Sequence, residues 1–298
     1  MMTILRTLFR ISRPSMIVFA GLLYLLGVGI ARYLGALLDG GLLLLGLLWV
    51  WITQTGAFFL IAYHDALVEI ARTPRRQPDG GTTPDLTPAS LLAAAAACLT
   101  VVASLSVLLI RFLGWEPGAF LLMLLMFAGA FFYAAPPRRL AASGYGELVA
   151  VVLLANLIPA FAFQLQLAGT LRLVAMSTFP LMALSLALVL VYELSTYAND
   201  VKNGRITLLI RMGWQRGMLL HNVFVLVAFV LLGLAAAMGM PFPIVWPTFL
   251  LIPLGVWQVW SVVRIAAGAK PNWRALTLGA QLLVGVMAYL LTYGFWIR

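Results

Sequence analysis

Long apolar runs alternate with short polar stretches along the whole chain. Runs at about 16–34, 41–63, 88–110, 118–135, 146–168, 174–198, 215–238, 244–263 and 276–296 each reach the roughly 18 to 20 residues that cross a bilayer as a helix. The pattern predicts an all-α, polytopic membrane protein, a nine-helix transmembrane bundle forming one domain over 1–298. The N-terminus is basic and then apolar, but it lacks a small-residue cleavage site and leads into a full span, so it reads as a retained first helix.

Composition and charge sharpen this picture. Hydrophobic residues make up 63% of the 298, and charged residues only 9%. A water-soluble domain could not hide that much apolar surface. The single cysteine, Cys98, lies in an apolar run and offers no disulfide framework. The net charge of +10 is explained by topology better than by nucleic acid. With nine spans, 15 of the 19 basic residues fall on one side of the membrane. The positive-inside rule makes that side cytoplasmic, with the N-terminus inside and the C-terminus outside, as in a bacterial inner membrane protein.

Seven of the nine acids share that side: Asp65, Glu69, Asp79, Asp85, Glu147, Glu193 and Asp200. Acids barely affect topology, so their clustering points to chemistry. Three cytoplasmic connections, about 64–87, 136–146 and 199–214, form candidate caps. In YHDALVEIARTPRRQPDGG, Asp65 and Glu69 are four apart and share a helical face. In YELSTYANDVKNGRITL, Glu193 and Asp200 are seven apart, close to two turns, with Thr196 and Tyr197 between them on the same side. Basic residues follow each pair: Arg75 and Arg76 after the first, Lys202 and Arg205 after the second.

Isolated acids at a helix end usually pair with neighbouring arginines. Two matched pairs also suit Mg2+, which takes hard oxygen ligands from one or two carboxylates plus substrate phosphate. Arginine forks would grip the same phosphate. In the third segment, FFYAAPPRRLAASGYGELVA, Pro136 and Pro137 stop a helix, Arg138 and Arg139 follow, and Glu147 opens the next span.

Together these segments resemble the UbiA-type intramembrane prenyltransferase superfamily. The resemblance spans the chain in order, including nine helices and acidic motifs after helices 2 and 6. Asp200, Gly204, Thr207 and Leu208 match the family's D-x-x-x-G-x-x-T-L, and Glu193 stands where that motif has its first aspartate. YAAPPRRLAASGYGELV is similar to the family's YSAPPLRLKxxGxxGE. ISRPSMIVFAGLLYLLG is similar to its helix-1 opening, more loosely. The first motif departs most. Anchored on Pro74 and Arg76, it places Asp65 and Glu69 on the last two acids and Ile61 and Ala62 on the leading Asn-Asp. A register with His64 and Asp65 on that Asn-Asp misplaces the proline.

The resemblance implies a bundle whose central cavity opens near the cytoplasmic face. It implies transfer of a polyprenyl group from its diphosphate to an aromatic or other lipid-type acceptor, through Mg2+-assisted ionisation to an allylic cation. Asp65, Glu69, Glu193 and Asp200 would hold the metal. Arg76, Arg138, Arg139, Lys202 and Arg205 would contact the diphosphate, and Tyr63, Tyr133 and Tyr197 would shield the cation. The implied partners are a polyprenyl diphosphate, a hydrophobic acceptor and the bilayer. Two alternatives stay open. One is a catalytically impaired UbiA-fold homologue acting as a lipid-binding or assembly subunit of a membrane complex. The other is an intramembrane terpene cyclase, which needs no acceptor.

Overall fold

The computed structural model describes residues 8–9, 11–72, 87–113, 116–136, 139–202 and 204–298. Nine helices among them are long and apolar enough to cross a membrane. They are α1 (Pro14–Tyr33), α2 (Gly40–Arg72), α3 (Pro88–Leu113), α4 (Pro117–Ala134), α5 (Gly146–Gln166), α6 (Arg172–Lys202), α7 (Trp214–Ala237), α8 (Phe242–Ala266) and α9 (Trp273–Trp296). No strand occurs among the described residues. The spans agree with those read from the apolar runs to within about four residues, except that α2 runs on nine residues beyond its predicted end.

The interior is built from close helix contacts. α1 packs against α5 and α9, α2 against α3, and α6 against α7. A Cβ at Gly27 on α1 would collide with the main-chain carbonyl of Pro159 on α5, so only glycine permits that approach. Three polar groups on the packed faces find partners across the helices. The Tyr24 hydroxyl donates to the Leu43 carbonyl at 3.0 Å, Trp49 Nε1 to Ser106 Oγ at 2.8 Å, and Trp296 Nε1 to the Leu25 carbonyl at 2.9 Å.

Two features of this bundle position the site. Pro159 cannot donate to the turn before it, and the preceding Val152–Leu157 stretch relaxes into a π-helical turn. That widened turn places Leu153 and Leu154 against an internal chamber. The second feature is α6, whose apolar window is 67% buried, the highest share of the nine; α8 stands at 17%. α6 is therefore a central helix, with Glu193 and Asp200 buried near its polar end, while α8 presents most of its surface outward.

Candidate functional site

The polar end of α6 is shaped by local chain chemistry. Gly204, with φ +64°, ends the helix: its N–H donates to the Val201 carbonyl at 3.2 Å and the Arg205 N–H to the Asp200 carbonyl at 3.0 Å. This reversal turns Arg205 back toward Asp200, with Nη1 donating to Oδ1 at 3.5 Å. Thr196, one turn earlier, donates its hydroxyl to Asp200 Oδ2 at 2.6 Å. Thr207 then caps a short helix, Leu208–Met212, by accepting from the Ile210 N–H at 3.3 Å. The Leu209 N–H at the start of that helix donates to Glu193 Oε2 at 2.8 Å. The spacing from Asp200 through Gly204 to Thr207 and Leu208 is thus a folding instruction: helix stop, reversal, cap and carboxylate anchor.

Glu193 and Asp200 are 7% and 6% exposed. Glu147, in the first turn of α5, lies against Glu193. Glu193 Oε1 and Glu147 Oε2 are both buried with no hydrogen-bond partner. A buried carboxyl and a half-buried one in contact, each with an unmatched oxygen, are costly unless a shared proton or a bound cation offsets them. All three carboxylates line one open cavity, together with Arg13, Tyr133, Tyr192, Thr196 and Arg205.

Arg13, Met16, Tyr133, Ala150 and Leu154 also line a second chamber, so the two share a wall. The second is walled by Val50, Ala57, Phe58, Met126, Leu153 and Ile158. Its polar lining includes Thr53 and Gln54, whose side-chain polar atoms have no hydrogen-bond partner. Arg13 stands at the junction, its guanidinium 5.3 Å from the centre of the Phe58 ring.

The polar connections are stitched to one another. Arg139 Nη2 donates to Asp65 Oδ1 at 2.5 Å, joining the α4–α5 connection to the end of α2. Arg211 Nη2 donates to the Ser143 carbonyl at 2.7 Å and stacks 4.7 Å from the centre of the Tyr145 ring. Gly144, with φ +76°, leaves room for it: a Cβ there would stand 2.5 Å from Arg211 Nε. Arg13 and Arg139 are the non-glycine residues at positive φ among the described residues, and both sit at this end of the bundle.

The residues singled out from the sequence therefore separate. Glu193, Asp200, Arg205 and Tyr133 line one chamber. Asp65 does not join them; its side chain is 67% exposed and paired with Arg139. Lys202 is exposed and outside the chamber lining. Tyr197 also turns away, with its ring packed edge-on against Trp214 at 5.4 Å. Tyr63 lies against His64, ring centres 4.9 Å apart, and lines neither chamber. Glu69 lies on α2, but its side chain is outside the described part of the chain, as are Arg76 and Arg138 altogether. Glu147, Arg13 and Tyr192 line the chamber without having been picked out for it. Glu147 read as a lone acid opening a span. Its signal was the GYGE stretch it completes, since glycines there let α5 start close to the α4–α5 connection.

No group of three His, Cys, Asp or Glu among the described residues forms a ready-made metal cage. Mg2+ does not need one, because it keeps several waters and shares its coordination between one or two carboxylates and substrate phosphate. The paired, unmatched oxygens of Glu147 and Glu193, with Asp200 nearby, fit that requirement.

No family model and no curated protein sequence matches the chain. Solved structures do. A digeranylgeranylglyceryl phosphate synthase superposes with a TM-score of 0.66 at 15% identity, covering 100% of this chain and 98% of that one. A UbiA homologue from Aeropyrum pernix K1 gives 0.63 at 15% identity, covering 94% and 97%. A UbiA homologue from Archaeoglobus fulgidus, bound to GPP and Mg2+, gives 0.60 at 16% identity, covering 95% and 99%. The protein is an integral membrane protein whose fold is that of the UbiA homologues.

Proposed function

We propose that the protein is a Mg2+-dependent intramembrane prenyltransferase. One observation carries the reading most directly. The buried, partnerless oxygens of Glu147 and Glu193 face a chamber that also holds Asp200, Arg13 and Arg205 and shares a wall with an apolar one. The first chamber has the chemistry for a diphosphate, and the second for an isoprenoid chain or a hydrophobic acceptor. The ligands of the A. fulgidus homologue, GPP and Mg2+, are of the same chemical kind.

Glu147, Glu193 and Asp200 would hold Mg2+, which when bound neutralises the charge that builds on the leaving diphosphate. Arg13 and Arg205 add fixed positive charge on the diphosphate oxygens. Leu209, through its N–H, holds Glu193 in one orientation, and Thr196 does the same for Asp200. Tyr133 borders both chambers and would shield an allylic cation formed beside it with its π face. The apolar walls keep water from that cation. Thr53 and Gln54, the polar side chains without partners there, would read a hydroxyl or carbonyl on the acceptor. Asp65, Arg139 and Lys202 would serve as the outer rim, meeting the diphosphate as it enters; Glu69, Arg76 and Arg138, whose side chains lie outside the described part of the chain, keep the metal and diphosphate roles that the resemblance implies. The basic side of the bundle would face the cytoplasm, as in a bacterial inner membrane.

The second reading, an impaired homologue that binds a lipid without turning it over, is favoured by the engagement of Asp65 with Arg139 and by Ile61 and Ala62 in the first motif. Purified protein in bilayers, supplied with allylic diphosphates of several lengths, Mg2+ and quinone-precursor or lipid acceptors, separates the two. Prenylated product supports transfer. Tight diphosphate binding with no product from any combination supports the impaired homologue.

A further inference from the structure

A third cavity, an open groove, lies between α8 and α9, at the same end of the bundle as the carboxylates but sharing no lining residue with their chamber. Trp257, Trp260, Ser261, Arg264, Lys270 and Asn272 line it. We propose that this groove binds the headgroup of an anionic phospholipid.

Charge is the first argument. The chain contains no acid between residues 201 and 298. The ion pairs among the described residues are Asp65–Arg139 and Asp200–Arg205, so neither Arg264 nor Lys270 has an acidic partner there. The guanidinium of Arg264 is held 4.9 Å from the centre of the Trp260 ring, which fixes the fork at the rim of the groove. α9 begins at the same place, with Asn272 as its cap accepting from the Ala275 N–H at 3.2 Å, so its positive end adds to the two cations.

The surroundings choose a lipid over a soluble anion. α8 is the most outward-facing of the nine spans, and Val256, Trp260 and Val263 are each more than half exposed along it. An acyl chain can lie on that face while the phosphate sits between Arg264 and Lys270. Indole rings at the level of a headgroup are the usual companions of such a site, and basic pockets between spans on the cytoplasmic side recognise anionic headgroups. The carboxylates needed to share Mg2+ with a prenyl diphosphate are missing from this groove, so it does not duplicate the first site. Its inner wall matters to that site, however. Leu276 and Ile265 belong to the apolar cluster that also contains Leu209, the residue whose N–H anchors Glu193. A lipid here completes the outer side of that cluster.

The test is lipid retention and thermal stability of the whole protein, measured with phosphatidylglycerol and phosphatidylcholine. Native mass spectrometry should find phosphatidylglycerol retained in preference to phosphatidylcholine, and bilayers containing it should raise the melting temperature. Arg264→Gln with Lys270→Gln should weaken that retention roughly tenfold to thirtyfold, while melting like the parent in pure phosphatidylcholine. Trp260→Leu, which keeps both charges, should weaken it less. Arg111→Gln, at the far end of the bundle, should leave it unchanged. Equal retention of the two lipids by the parent protein overturns the proposal. So does an unchanged preference in the double variant, or displacement of the lipid by millimolar inorganic phosphate, which would make the groove a small-anion site.

Discussion

The main-chain N–H of Leu209 donates to Glu193 Oε2 across sixteen residues of sequence, at 2.8 Å. This bond leaves the other oxygen of Glu193 to face Glu147 without a donor. A five-residue helix that looks like connecting chain is therefore what aims the acid. Gly204, Thr207 and the apolar packing of Leu209 all serve that one orientation.

Gly204→Ala tests the reversal by itself. Nothing lies within 4 Å of the added Cβ, so its cost is the strain of φ +64° alone. The expected loss is about 1 to 2 kcal/mol, read as a lower melting temperature, together with weaker diphosphate binding as Arg205 shifts from Asp200. Gly233→Ala, also in open space but inside α7, should be neutral or stabilising by up to about 1 kcal/mol.

Gly27→Val tests the helix contact that carries the bundle. The new side chain meets the Pro159 carbonyl, main chain that cannot step aside. Overpacking should cost about 1 to 3 kcal/mol or prevent folding, and the yield of monodisperse protein in mild detergent measures it.

Asp65→Asn separates the rim from the chamber. An ion pair with a 67% exposed partner contributes little, on the order of 0 to 1 kcal/mol. The melting temperature should hardly move, and turnover should fall far less than in Glu193→Gln. A loss as large as that of Glu193→Gln would place Asp65 among the metal ligands.

Tyr197→Phe should leave turnover and stability unchanged, because its ring packs on Trp214 outside the chamber. Tyr197→Ala should destabilise by about 3 kcal/mol or more through the cavity it leaves. Tyr133→Ala, in contrast, should reduce turnover with a smaller effect on folding, since that ring borders both chambers.

The spans were legible because lipid demands long unbroken apolar runs, and each run here is long enough to be seen by itself. The site was legible in part for a different reason. Glu193, Asp200 and Arg205 sit on one helix end, where spacing fixes their mutual geometry. Tyr197 shows the limit of spacing: four residues from Glu193 is about 40° past a full turn, enough for its ring to reach Trp214, a partner far along the chain. Glu147 and Arg13 come to the chamber from α5 and α1, by helix packing that no local pattern encodes. Asp65 found Arg139 from another connection, and a surface pair of that kind leaves no trace in either segment.

The central claim is that Glu147 and Glu193 share a metal ion with a prenyl diphosphate. The direct measurement is Mg2+-dependent release of diphosphate from geranyl diphosphate in bilayers that also carry quinone-precursor or lipid acceptors to take up the geranyl group, compared between the parent protein and Glu193→Gln. Glutamine keeps an acceptor for the Leu209 N–H, removes the charge and puts an NH2 donor where the second oxygen faced Glu147. The account predicts release by the parent and at least about a hundredfold less by the variant, with Glu147→Gln demanding more Mg2+ for the same rate. Equal rates in Glu193→Gln and the parent, or release by the parent that ignores Mg2+, would contradict it.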